Sequence, residues 1–137
     1  MTAELPAQGS VIHYPYLWAS QRETGESEGR KDRPVCLLLA VHDPAQDVHH
    51  LVLLAISSQP EQMALEIPDT EKRPGGLTRY PRAWIIISEY NYDIAERSYY
   101  YNPNIAPLGT FSISYLREIA RAFRANLTSI ARIDRTV

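Results

Sequence analysis

The groups in this chain best suited to act on a substrate are an arginine and a hydroxyl, each at the end of an apolar run. Arg33 closes the polar segment Glu28-Gly-Arg-Lys-Asp-Arg33, and Pro34 opens an apolar run that reaches Val41. A second run, beginning at Leu51, ends in Ile56-Ser57-Ser58. If the two runs pair as an antiparallel hairpin, the start of one lies beside the end of the other. Arginine keeps its proton, and its planar fork suits a phosphodiester and the negative charge that develops on it during displacement. A serine hydroxyl beside it adds a hydrogen bond to a phosphate oxygen. The bland alternative pairs Arg33 with Asp32 or Glu28 and makes Ser57 a turn residue.

Other chemistries find few residues to work with. There is no Gly-rich phosphate loop, no G-x-S-x-G elbow and no zinc-protease helix. His49 and His50 are adjacent, and neighbours on a strand point to opposite faces, so they are not expected to share a metal. Cys36 is the single cysteine, which excludes an intrachain disulfide and a cysteine-based zinc site, and it sits inside an apolar run as core filler. No metal and no cofactor are expected.

These residues need a scaffold. The 137 residues, 45% hydrophobic and 22% charged, suit a single globular domain spanning 1–137. The longest apolar run, Val35 to Val41, is far short of the roughly 20 residues of a membrane span. The opening Met-Thr-Ala-Glu-Leu-Pro has neither the basic nor the apolar region of a secretory signal, so a cytoplasmic protein is expected. The runs 34–41, 51–56 and 83–87 read as buried strands. The stretch 10–18 reads as an edge strand or one broken at Pro15, with a weaker strand at 63–67. The stretches 19–32 and 91–109 read as long irregular loops. From Ser112 or Ser114, Leu116, Ile119, Ala120, Phe123, Leu127 and Ile130 recur at helical spacing, which predicts a C-terminal amphipathic helix with Arg117, Arg121 and Arg124 on its other face. The fold class is therefore mostly β, a small barrel or strongly twisted sheet with a helix across it.

Net charge is −2, yet charge is segregated. The carboxylates Asp43, Asp47, Glu61, Glu66, Asp69 and Glu71 precede the basic cluster Lys72, Arg73, Arg79 and Arg82. Steering of a polyanion would rest on a local patch of Lys31, Arg33, Arg79 and Arg82. Pairing of Arg79 and Arg82 with the acidic stretch is the competing expectation.

The ordered series Gly9-Ser-Val-Ile-His-Tyr, Glu28 followed by Arg33-Pro34 and an apolar strand, Ile56-Ser57-Ser58, Gly76-Leu77, the strand at 83–87, and Leu108-Gly109 before a helix resembles the MazF/PemK/Kid toxins of bacterial toxin-antitoxin modules. The resemblance implies an SH3-like barrel that dimerises and a metal-independent endoribonuclease that cuts single-stranded RNA. Position by position, Arg33 matches the family's catalytic arginine, Ser57 its catalytic Thr, and Glu28 an acidic residue of the same loop. Glu89 stands where some relatives carry an Asp, while Ile87 stands where those relatives carry an Arg. Glu28 or Glu89 is the candidate base, and Trp18, Tyr90 and Tyr92 are candidates for stacking on splayed bases. The expected partners are single-stranded RNA, a second copy of the chain and an acidic, partly disordered antitoxin segment. The rival class is a non-catalytic protein on the same fold that inhibits a protein target such as gyrase, or a regulator.

Overall fold

The computed structural model describes residues 5–23, 25, 31–60 and 63–136. Its strands are β1 (Ser10–Tyr14), β2 (Arg33–Asp43), β3 (Val48–Ser57), β4 (Ala64–Glu66), β5 (Trp84–Ile86), β6 (Glu89–Ile94), β7 (Gly109–Thr110) and β8 (Ala131–Asp134). The helices are α1 (Ala19–Glu23), α2 (Asp69–Lys72) and α3 (Ile113–Ala125).

The expected hairpin is the centre of a mostly antiparallel sheet ordered β4-β5-β3-β2-β1-β7. β2 and β3 pair from Val35↔Ala55 to Asp43↔Val48, with an irregularity between Leu37 and Leu39. The far edge of β3 forks, because residues 50–53 pair with β6 and Ile56 and Ser57 pair with β5. β6 then holds β8 in the one parallel pairing among the described strands, and no ladder joins the outer strands to close the sheet.

One alternative is decided and three expectations need correction. β1 does end before Pro15, but it is not an edge strand, since β7 pairs with its other side at Ser10 and Val11. The irregular stretch 19–32 begins with the short helix α1, whose first turn is held by Trp18 N–H donating to Gln21 Oε1 at 3.0 Å. The second irregular stretch, 91–109, begins inside β6. That strand was hidden because its inward positions are Asn91 and Asp93, so apolar alternation does not mark it. The helix is not terminal either, because the chain turns back after it to form β8.

Both faces of the sheet are covered within one chain. On one, Cys36, Leu54, Ile56 and Ile85 meet Tyr115, Ile119 and Phe123 of α3. Burial pushes the Cys36 thiol up to about 12. On the other, Tyr14, Val35, Leu37, Leu53, Ala55 and Ile86 are sealed by Tyr16 and Tyr101. A second copy is therefore not needed to cover either face. The apolar side chains left over on β2 are Leu39 and Val41, 37% and 51% exposed. α3 starts where Ser112 Oγ accepts from Tyr115 N–H at 3.2 Å, as its N-cap position predicts, and Ser112 Oγ donates to Glu71 Oε2 at 2.7 Å.

Gly76, at φ +73°, and Gly109 lie where the 74–76 turn crosses the approach to α3, with Thr110 N–H donating to the Pro74 carbonyl at 2.8 Å. A Cβ on Gly109 would collide with the Pro74 carbonyl and come within 2.6 Å of the Gly75 carbonyl carbon. Gly109→Ala should therefore lower stability by about 3 kcal/mol. Gly25→Ala, at φ +89° with no neighbour within 4 Å, should cost about 1 kcal/mol. Urea midpoints of the two variants measure the difference.

Candidate functional site

The strand registers line up one row of side chains. Tyr14 faces Arg33, Ser57 faces Trp84, and Trp84 faces Glu66. Carrying the β2–β3 register two residues beyond Val35↔Ala55 sets Arg33 opposite Ser57. Opposed residues share a face and stand about 5 Å apart, so Arg33 and Ser57 rise together on the face away from α3. The hairpin register thus leads, on the same face, to the two residues singled out for phosphate chemistry, each two residues past the last pair of the ladder.

Arg33 is half-buried, with its guanidinium carbon 5.1 Å from the centre of the Trp18 ring. Its Nε–H is buried without an acceptor, and Asp32 does not pair with it. Glu28 lies outside the described residues. The Ser57 hydroxyl accepts from Gln59 N–H at 3.1 Å, a turn bond that leaves its own O–H to donate. Farther along the row, Arg82 grips Glu66 with two hydrogen bonds of 2.9 and 2.8 Å and lies over the Trp84 ring at 4.8 Å. Those bonds hold the Glu66 carboxyl below its usual range and raise the Arg82 guanidinium. Of the four residues of the basic patch, Arg82 is thus neutralised, Arg79 lies against Tyr80 at 5.6 Å, and Lys31 is exposed two residues before Arg33.

What carries Trp18 over Arg33 is a strip of chain that has left the sheet. After Pro15, residues 15–19 run past β6 and bond to its side chains. Tyr14 donates to Asp93 Oδ2 at 2.7 Å, and Ser98 Oγ donates to the same oxygen at 2.5 Å. Asn91 Oδ1 accepts from Leu17 N–H at 2.9 Å while Asn91 Nδ2 donates to the Leu17 carbonyl at 2.8 Å. Glu89 Oε1 accepts from the Tyr16 hydroxyl at 3.2 Å and from Ala19 N–H at 3.0 Å. Arg135 Nη1 donates to the Pro15 carbonyl at 2.8 Å and to Asn91 Oδ1 at 3.2 Å. Burial first, then the Asp93 and Glu89 carboxylates, push the Tyr14 and Tyr16 phenols far above their usual values.

Trp18, Ser20, Ile86, Ser88 and Glu89 line a cleft of about 400 Å³. Glu89 thus borders the cleft that holds Trp18, but its Oε1 is already engaged. Tyr90 and Tyr92 point the other way, because alternation along β6 sends them to the helix face. Tyr90 packs edge-on against Phe123 at 5.4 Å, and Tyr92 bonds to His50 Nδ1 at 2.6 Å under the Arg132 guanidinium. They cannot stack on a base held at Arg33. His49 meets Glu96 and His50 meets Asp43, and among the described residues no group of three or more His, Cys, Asp or Glu is arranged to hold a metal.

Trp84, Asn91, Asp93 and Arg135 escaped the sequence reading. The period-two string Glu89-Tyr-Asn-Tyr-Asp-Ile94 was the available signal, since a strand with polar residues inside keeps its alternation with the sign reversed. No family model, no curated protein and no solved structure matches this chain. Tyr14→Phe, which strips a donor from a carboxylate that is 1% exposed, should cost about 2 kcal/mol by thermal melting while leaving the far-UV spectrum unchanged.

Proposed function

We propose that this chain is a toxin-like endoribonuclease of the MazF/PemK kind, cutting single-stranded RNA without a metal on an SH3-like barrel. The observation that carries the reading is the β2–β3 register, which two residues past its last pair, Val35↔Ala55, leads to Arg33 on one strand and Ser57 on the other: Arg33 with no carboxylate within 4 Å among the described residues, and Ser57 with a hydroxyl proton to give. An unneutralised guanidinium beside a donor hydroxyl is what a phosphorane dianion requires.

In this reading the RNA 2′-OH attacks the adjacent phosphorus and the 5′-oxygen leaves. Arg33 offsets the charge that builds on the non-bridging oxygens, and Ser57 donates to one of them. Glu28 or Glu89 takes the proton from the 2′-OH. Trp18, its ring beside Arg33, offers a flat surface for one base. An SH3-like barrel, a cognate antitoxin and a cytoplasmic setting belong to the same reading, the first supported by the register irregularity between Leu37 and Leu39 and by the fork of β3 between β5 and β6. Leu39 and Val41, neighbours on one face of β2, are the apolar pair a homodimer would bury. One observation favours a non-catalytic relative that binds a protein target: the Oε1 atom of Glu89 is occupied by Tyr16 and Ala19.

Cleavage of single-stranded RNA in EDTA separates the two. Arg33→Ala should abolish it with the melting temperature intact, and Glu28→Gln and Glu89→Gln should identify the base by removing the acidic limb of the pH–rate profile. RNA left whole by the native chain would discard the enzyme. Glu66→Gln should release Arg82 toward the phosphate backbone, strengthening RNA binding and steepening its log–log salt slope by about 0.7.

A further inference from the structure

Every peptide unit between Pro15 and Ala19 is held by a partner outside the backbone ladder. The Pro15 carbonyl takes Arg135 Nη1, the Leu17 N–H and carbonyl take the two ends of the Asn91 amide, Trp18 N–H takes Gln21, and Ala19 N–H takes Glu89. Asn91 bonds to Leu17 as a neighbouring strand would, although it approaches through its side chain. It is 0% exposed, and Arg135 is 2% exposed. Neither lines the cleft bordered by Trp18 and Glu89.

Arg135 is an expensive way to fasten a loop. Its Nε and Nη2 are buried without hydrogen-bond partners, and its guanidinium carbon lies over the Tyr100 ring, 3.8 Å from the centroid. Buried charge with unpaired donors destabilises relative to an apolar side chain of the same volume. What it secures is direction, since the same Nη1 joins Pro15 to Asn91 and so fixes where the next residues must go. Those residues bring the Trp18 ring against Tyr16 at 5.0 Å and over Arg33 at 5.1 Å.

We propose that Asn91 and Arg135 are positioning residues, which hold the 15–18 strip so that Trp18 covers Arg33 and aims its guanidinium along the row toward Ser57. The consequence for catalysis rests on the ribonuclease reading, whereas the consequence for Trp18 does not.

The test uses both. In a Trp84→Phe background Trp18 is the sole tryptophan. There Arg135→Met, which keeps the volume and loses the donors, should shift Trp18 emission to the red and make it more open to acrylamide while cooperative unfolding persists. Arg135→Lys, which can still reach the Pro15 carbonyl, should restore part of the native emission. Asn91→Asp keeps the acceptor for Leu17 N–H but loses the donor to its carbonyl, and should act in the same direction if Arg135→Met does not fold. With Trp84 restored, Arg135→Met should lower kcat on single-stranded RNA by about tenfold to a hundredfold with little change in KM, because a misplaced guanidinium is felt chiefly in the transition state. Native emission in a folded Arg135→Met or Asn91→Asp variant overturns the proposal, and so does a native kcat beside displaced emission. If the native chain cuts no RNA, the ribonuclease reading falls, and the emission arm alone decides the positioning.

Discussion

Pro15 follows the last residue of β1, and much of the molecule is arranged around the strip of chain that leaves the sheet there. Beyond Tyr14 the chain no longer pairs with β2, and its peptide groups find partners elsewhere. Glu89, Asn91 and Asp93, the inward positions of β6, supply side-chain oxygens and an amide in register with it. A strand that would ordinarily be apolar on its inner side is therefore polar, and β8 is drawn in behind it so that Arg135 can complete the set. These polar groups meet the peptide units and phenols of the strip that leaves the sheet after Tyr14.

The same detour governs the electrostatics of the opposite end of the hairpin. Arg33 and Arg82 stand on one sheet face, but they are in different states. Arg82 is locked to Glu66, an exposed pair worth little to stability but enough to occupy the guanidinium fork. Arg33 is covered by an aromatic ring, which holds a cation without neutralising it. The proposed phosphate site needs the second condition rather than the first, and the Trp18 strip supplies the ring that meets it.

The sheet solves its burial problem by forking β3. One strand edge serves both β6 and β5, so the hairpin is flanked on each face by side chains from the same chain, α3 on one side and the tyrosine-rich strip on the other. This also explains why Tyr90 and Tyr92 are structural. Along β6 Tyr90 packs into the helix-side core and Tyr92 lies against His50 on that same face, while the odd positions feed the polar frame, which leaves no aromatic of that strand for the Arg33 surface.

Local pattern determined the hairpin, the break at Pro15, the helix from Ser112 and the nearness of Arg33 to Ser57, because each follows from short-range rules: apolar runs bounded by turns, a missing donor, a capping hydroxyl and antiparallel register. Tertiary structure alone decided which arginine stays unpaired, which face each tyrosine takes and what holds Trp18. Those outcomes depend on contacts such as Asn91 with Leu17 and Arg135 with Pro15, between residues 74 and 120 positions apart. A buried polar residue is recognisable as part of a strand only once its distant partner is known, since by composition it reads as a loop.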